Sequence, residues 1–96
     1  MTQSVATSVN PATGETLASY PWATAEEVEQ AIAQADAGFR QWRRESVSHR
    51  AQKLRDLGVA LRNRAEEMAQ MMSREMGKPI LQARAEVTKS ASLCDW

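Results

Sequence analysis

Residues 24–42 read TAEEVEQAIAQADAGFRQW. Thr24-Ala25-Glu26-Glu27 is a capping box: the Thr24 hydroxyl accepts from the Glu27 N–H, and the Glu27 carboxylate reaches back to the Thr24 N–H. Val28, Ala31, Ile32, Ala35, Phe39 and Trp42 then recur at steps of three and four, so they share one face. Glu26, Glu27 and Glu29 near the start, and Arg40, Arg43 and Arg44 near the end, complement the helix dipole. The spacing predicts a helix over 24–42.

Before this helix, Val5, Thr7 and Val9 alternate with Ala6 and Ser8 in the period of a strand. Asn10-Pro11-Ala12-Thr13-Gly14-Glu15 follows. Pro11 presets φ for a turn corner, and Gly14 can take positive φ without a Cβ clash. Thr16 to Tyr20 resumes the strand pattern and Pro21 stops it. A β-hairpin over 5–20 is predicted.

After it, Ser46 or Ser48 can cap a second helix. Leu54, Leu57, Leu61, Ala65, Met68 and Met72 form its stripe, and Gly77 suits the left-handed residue that ends it. The predicted span is 47–76. Gly58 inside it costs about 1 kcal/mol against alanine, so either the helix tolerates it or another backbone passes close by. Pro79 suits the first turn of a third helix, with Ile80, Ala83, Val87, Ala91 and Cys94 on one face. No stop signal follows, so this helix is expected over 79–96, running on into a longer protein. The expected fold is mostly α with an N-terminal β-hairpin: a hairpin plus three helices, one small domain at most.

The composition sets a further constraint. Apolar residues make up 43% of the chain, but sixteen are alanine, and Leu, Ile, Val and Phe together number fifteen. Alanine buries little area, so a core built from these residues alone is thin. Helices of this kind are expected to pack against something larger. Twelve basic and twelve acidic residues cancel, which argues against a nucleic-acid partner and against a polybasic membrane anchor. With one cysteine, no internal disulfide can form. No leader-like or membrane-spanning apolar run is seen. The chain reads as soluble and cytoplasmic.

Candidates for chemistry are few. Cys94 lies on an apolar helix face without a cationic neighbour and reads as a structural cysteine. His49 stands alone in the first turn of the second helix, with no ligand pattern around it. Met68, Met72 and Met76 recur every four residues, which suits core filler better than a docking face. Trp42-Arg43-Arg44 fits the helix dipole better than a nucleic-acid contact. No glycine-rich phosphate loop and no nucleophile elbow occurs. Catalytic residues: none; cofactor-binding residues: none.

Three pieces in order nevertheless carry a resemblance. They are Asn10-Pro11-Ala12-Thr13-Gly14-Glu15 after a short strand, the capped helix ending Phe39-Arg40-Gln41-Trp42, and Glu75-Met76-Gly77-Lys78-Pro79 between two helices. Arg50 and Leu54 lie between them, and Ala85-Glu86-Val87 after. The set resembles the start of the NAD(P)-dependent aldehyde dehydrogenases, over about residues 8–96. The short lead before Asn10 and the wording of 75–79 look most like the bacterial succinate-semialdehyde dehydrogenases.

The resemblance implies a parent several times longer. That parent has a Rossmann-like cofactor domain, of which residues 1–96 are the N-terminal part, a catalytic domain absent here, and assembly into a homo-oligomer, dimer or tetramer. It implies an enzyme that oxidises an aldehyde with NAD or NADP through a cysteine thiohemiacetal. The nucleophile of such enzymes sits in a Gly-Gln-x-Cys setting, which Ser92-Leu93-Cys94-Asp95 does not match. The 96 residues alone are expected to be inactive, with the remainder of the polypeptide as their partner. Some family members also hold a structural monovalent cation with a carbonyl at the position of Val9 and an acidic side chain at the position of Glu86, oxygen ligands of the kind hard cations prefer. The alternative for Glu86 is pairing with Arg84 or Lys89, or facing water. The alternative for the whole chain is an autonomous helical interaction module without catalytic activity.

Overall fold

A computed structural model describes residues 4–96. The hairpin forms first along the chain: β1 (Val5–Val9) pairs antiparallel with β2 (Thr16–Pro21), Val5 opposite Pro21 and Ser8 opposite Ala18, with a bulge at Ser8/Val9. The turn closes through local polar contacts. Asn10 Oδ1 accepts from the Ala12 N–H at 2.9 Å, and Thr13 Oγ1 accepts from the Glu15 N–H at 3.2 Å. The Gly14 N–H donates to the Asn10 carbonyl at 2.7 Å. Gly14 takes φ 76°, the conformation for which glycine was read there.

Helix α1 (Ala25–Trp42) starts as its capping box dictates, with both reciprocal bonds in place: Glu27 N–H to Thr24 Oγ1 at 3.1 Å, and Thr24 N–H to Glu27 Oε1 at 3.4 Å. Its apolar face has no partner among the described residues. No residue of α1 is buried, and Ile32 and Phe39 are 61% and 59% exposed.

The predicted helix over 47–76 is two helices in the structure, so there are four in all. Helix α2 (Val47–Asn63) is capped by Ser46, whose Oγ accepts from the His49 N–H at 3.1 Å. Arg64 leaves helical geometry at φ −113°, ψ 18°, and α3 (Ala65–Met76) begins immediately after. No proline or glycine marks this break in the sequence. Asn63, a weak helix former, stands beside it, and α2 and α3 both lie against α4 (Ile80–Leu93) as two parts of one arm. Helix α4 runs antiparallel to the arm, its beginning beside α3 (Arg84 on Glu66) and its end beside α2 (Asp95 on Arg62). The third predicted helix also stops earlier than expected, at Leu93 rather than 96. Cys94, Asp95 and Trp96 donate to carbonyls three residues back, a tightened last turn of the kind common at helix ends.

The core is as thin as the alanine content implies. It consists of Ala69, Ala83 and Val87, fully or almost fully buried, with Ala65, Met68, Met72 and Ile80 packed around them; Ala91 is buried further along α4. Small side chains let the helices approach closely. A Cβ placed on Gly58 would stand 3.1 Å from Cys94 Cβ and 3.2 Å from the Ala91 carbonyl oxygen. Of the two readings of Gly58, the close backbone passage is therefore the one found. Gly58→Leu should cost up to about 2 kcal/mol, because an overpacking penalty of about 1–3 kcal/mol is offset in part by a helix-propensity gain of about 1 kcal/mol. Far-UV circular dichroism on denaturant titration measures this, and an unchanged midpoint would contradict the close contact.

The result is a slab measuring 47 × 41 × 14 Å, little thicker than a single helix of about 10–12 Å. The radius of gyration is 17.7 Å, against about 13 Å for a compact domain of this length. The accessible surface is 7886 Å², where surface scaling for a folded monomer of 10.7 kDa gives roughly 5,500 Å². The excess, on the order of 2,000 Å² on one partner, is more than twice the roughly 800 Å² that each side gives to a standard protein–protein interface.

Candidate functional site

The two turn motifs read from the sequence meet in space. Helix α3 ends at Gly77, which takes φ 72° and donates its N–H to the Ser73 carbonyl at 3.0 Å. The Ser73 hydroxyl donates to the Lys78 carbonyl at 2.5 Å, bracing the elbow. Pro79 sits at the N-cap of α4, and its carbonyl accepts from the Ala83 N–H at 3.0 Å. Against this elbow lies the hairpin turn: a Cβ on Gly77 would be 3.0 Å from Pro11 Cγ. Beside that contact, Ser8 Oγ donates to Glu75 Oε1 at 3.1 Å.

Glu86 lies on α4 near the same elbow. Its carboxylate accepts from the Lys78 ammonium, so neither Arg84 nor Lys89 is the partner found. Arg84 instead grips Glu66 through Nε and Nη2, both at 2.9 Å, and Gln70 Nε2 donates to the same carboxylate at 3.0 Å. The Arg84 hydrogen bonds, followed by that of Gln70, hold the Glu66 carboxyl down from 4.5 to about 2, and the Arg84 guanidinium is raised in turn. A carboxyl depressed on folding adds stability that is complete above its unfolded pKa and is lost as pH falls through its folded one. Acid should therefore loosen the α3–α4 pair between pH 4.5 and about 2. Both groups are exposed, so salt screens much of the effect. Arg84→Ala should flatten the acid limb of helicity against pH at low salt; an unaltered limb would rule the pair out as its source.

Among the described residues, no cluster of three or more His, Cys, Asp or Glu stands ready for a metal ion. Cys94 sits at the C-cap of α4, half-buried, its Sγ against the Ser90 carbonyl at 3.6 Å. His49 Nε2 is 3.8 Å from Glu45, an exposed neighbour one turn away. Met68 and Met72 pack on the core while Met76 projects outward, so the methionine stripe is mostly committed to the interior. Arg43 lies over the Phe39 ring at 6.0 Å. An open cleft of about 190 Å³ between β2 and α3 is lined by Leu17, Ala18, Tyr20, Met71, Arg74 and Glu75. Ligand pockets run from about 300 to 1,000 Å³, so this cleft does not enclose a dinucleotide. The ties Ser8–Glu75, Lys78–Glu86 and Glu66–Arg84 were not read from the sequence. Each crosses between elements, where no helical or strand period brings the partners together.

The sequence model described as the aldehyde dehydrogenase family matches residues 1–96. The chain is 65% identical over 91 residues to the NAD(P)+ succinate semialdehyde dehydrogenase Sad of Escherichia coli, covering 95% of this chain and 20% of that protein. It is 37% identical over 87 residues to the glutarate-semialdehyde dehydrogenase of Pseudomonas aeruginosa, covering 91% and 18%. Among solved structures, an NADP-dependent enzyme of Escherichia coli superposes with a TM-score of 0.89 at 31% identity, over 97% of this chain and 19% of that one. The chain thus spans about a fifth of the length of the relatives it matches, and the family's catalytic cysteine is not in this segment. A hairpin turn seated on a helical elbow, with bare helix faces around it and a match from first residue to last, makes this chain a member of the aldehyde dehydrogenase family.

Proposed function

We propose that these residues are the N-terminal structural part of the cofactor-binding domain of an NAD(P)-dependent aldehyde dehydrogenase that converts succinate semialdehyde to succinate. The observation that carries this reading is the 65% identity to a succinate semialdehyde dehydrogenase across almost the whole chain. In such an enzyme the nicotinamide accepts hydride from the substrate. The work of this segment in such an enzyme is to cover and brace. The unpartnered face of α1, with Val28, Ile32 and Phe39 exposed, supports a docked body of apolar character. An autonomous interaction module is disfavoured because Met68 and Met72, its docking stripe, already pack on the core.

The test is to extend the sequence to the length of its relatives and assay it with succinate semialdehyde and glutarate semialdehyde, each with NAD+ and NADP+. Acid formation from the four-carbon substrate is the expected result. A folded extended protein that oxidises neither aldehyde overturns the reading. Homo-oligomeric assembly, as a dimer or tetramer, and a cytoplasmic setting belong to the same proposal. A single cysteine suits a reducing compartment, and no helix among the described residues is long and apolar enough to cross a membrane.

For the monovalent cation, we propose the Val9 carbonyl and the Glu86 carboxylate as two oxygen ligands, the rest coming from outside this chain. Lys78 holds Glu86 here and already supplies a positive charge to it. These residues alone do not make a cation site, and an ion would have to displace the ammonium. Potassium or sodium should raise the melting temperature of the extended protein, and Glu86→Gln should abolish that rise. An equal rise in the variant removes Glu86 from the site.

A further inference from the structure

The hairpin and the α3–α4 elbow are each weak alone. A two-stranded hairpin is marginal in water, and β1–β2 has no third strand among the described residues. Helix α4 begins without a side-chain cap. Two contacts cross between them. The Pro11 ring fills the space where any side chain on Gly77 would lie, 3.0 Å from the position of its Cβ, and Ser8 Oγ binds Glu75. Two more brace the elbow from within: Ser73 on the Lys78 carbonyl, and Lys78 on Glu86. Gly77 is thus required twice, for its left-handed φ of 72° and for the missing Cβ. The proline ring is rigid, so the turn cannot slide on the elbow without losing the contact. Helix α1, by contrast, adds no buried residue to this assembly.

We infer that the Asn10–Glu15 turn is a strap latching the α3–α4 elbow, so that the hairpin and the α3–α4 pair open and close as one cooperative unit while α1 opens independently. Cooperative units of this kind show themselves as segments whose amides share one opening free energy. The inference concerns the 96 residues alone and does not depend on the enzymatic reading.

Amide hydrogen exchange on the chain, followed by mass spectrometry, tests it. In the unaltered chain, the hydrogen-bonded amides of 5–9, 16–20 and 80–87 should share one opening free energy, larger than that of α1. Gly77→Ala should accelerate hairpin and elbow together, by roughly tenfold, the factor expected for one left-handed alanine, and leave α1 unchanged. Ser8→Ala is the milder variant that keeps the chain folded; it should accelerate amides 80–87, which it does not touch. Acceleration confined to the substituted segment, unrelated rates for hairpin and elbow, or no protection in either would each overturn the strap.

Discussion

The 96-residue chain, purified and given succinate semialdehyde with NAD+ or NADP+, is expected to produce no reduced cofactor above the rate without protein. Enzymes of all classes accelerate their reactions by about 10⁶-fold or more. That acceleration needs a nucleophile or base positioned against substrate and a site that excludes water. Cys94 lies at the carbonyl end of α4, its Sγ against the Ser90 carbonyl. The His49 imidazole lies 3.8 Å from an exposed glutamate. The cleft between β2 and α3 is open and small. The loss relative to an extended protein should therefore be complete within detection, measured by absorbance of the reduced nicotinamide. Turnover by the chain alone, persisting in Cys94→Ser, would show chemistry that the geometry does not account for.

A second large effect separates the face buried here from the face left bare. Val87→Asp puts an unpaired carboxylate between Ala69 and Ala83, where Val87 is 2% exposed. Burying an uncompensated charge costs several kcal/mol, on the order of 3–5. Loss of most of the α3–α4 helicity is expected in the 96-residue chain and in any longer form. Ile32→Asp should behave differently. Ile32 is exposed on α1 in this chain, and exposed substitutions stay within about 0.5 kcal/mol, so the circular dichroism of the 96 residues should hardly change. In the extended protein the same aspartate would face the docked body and should cost about 3 kcal/mol or more, read as lost soluble yield and a lower melting temperature. If Ile32→Asp is equally harmless in both forms, α1 is not a covering helix and the support role fails.

Much of the local structure was legible from short-range chemistry. The Thr24–Glu27 box, the Asn10–Glu15 turn, the Ser46 cap and the Gly77 terminator each depend on contacts within five residues, which sterics and hydrogen bonding impose wherever the string occurs. The family was legible for the same reason, since those punctuation motifs carry it. Three things were not. The break at Arg64 has no proline or glycine beside it, and Asn63 alone is too weak a signal to place it. Lys78 on Glu86 and Arg84 on Glu66 replaced the sequence-local pairings because the elbow brings α4 back alongside α3. Gly58 could be read two ways until Ala91 and Cys94 were found against it. The amino-acid order alone set the hairpin, the helical stretches, their caps and their apolar faces, because backbone preferences and periodicity act over a few residues. Which faces are satisfied, which charges meet and where the long arm bends were decided only by the packed structure, because those contacts join residues that the chain itself keeps far apart.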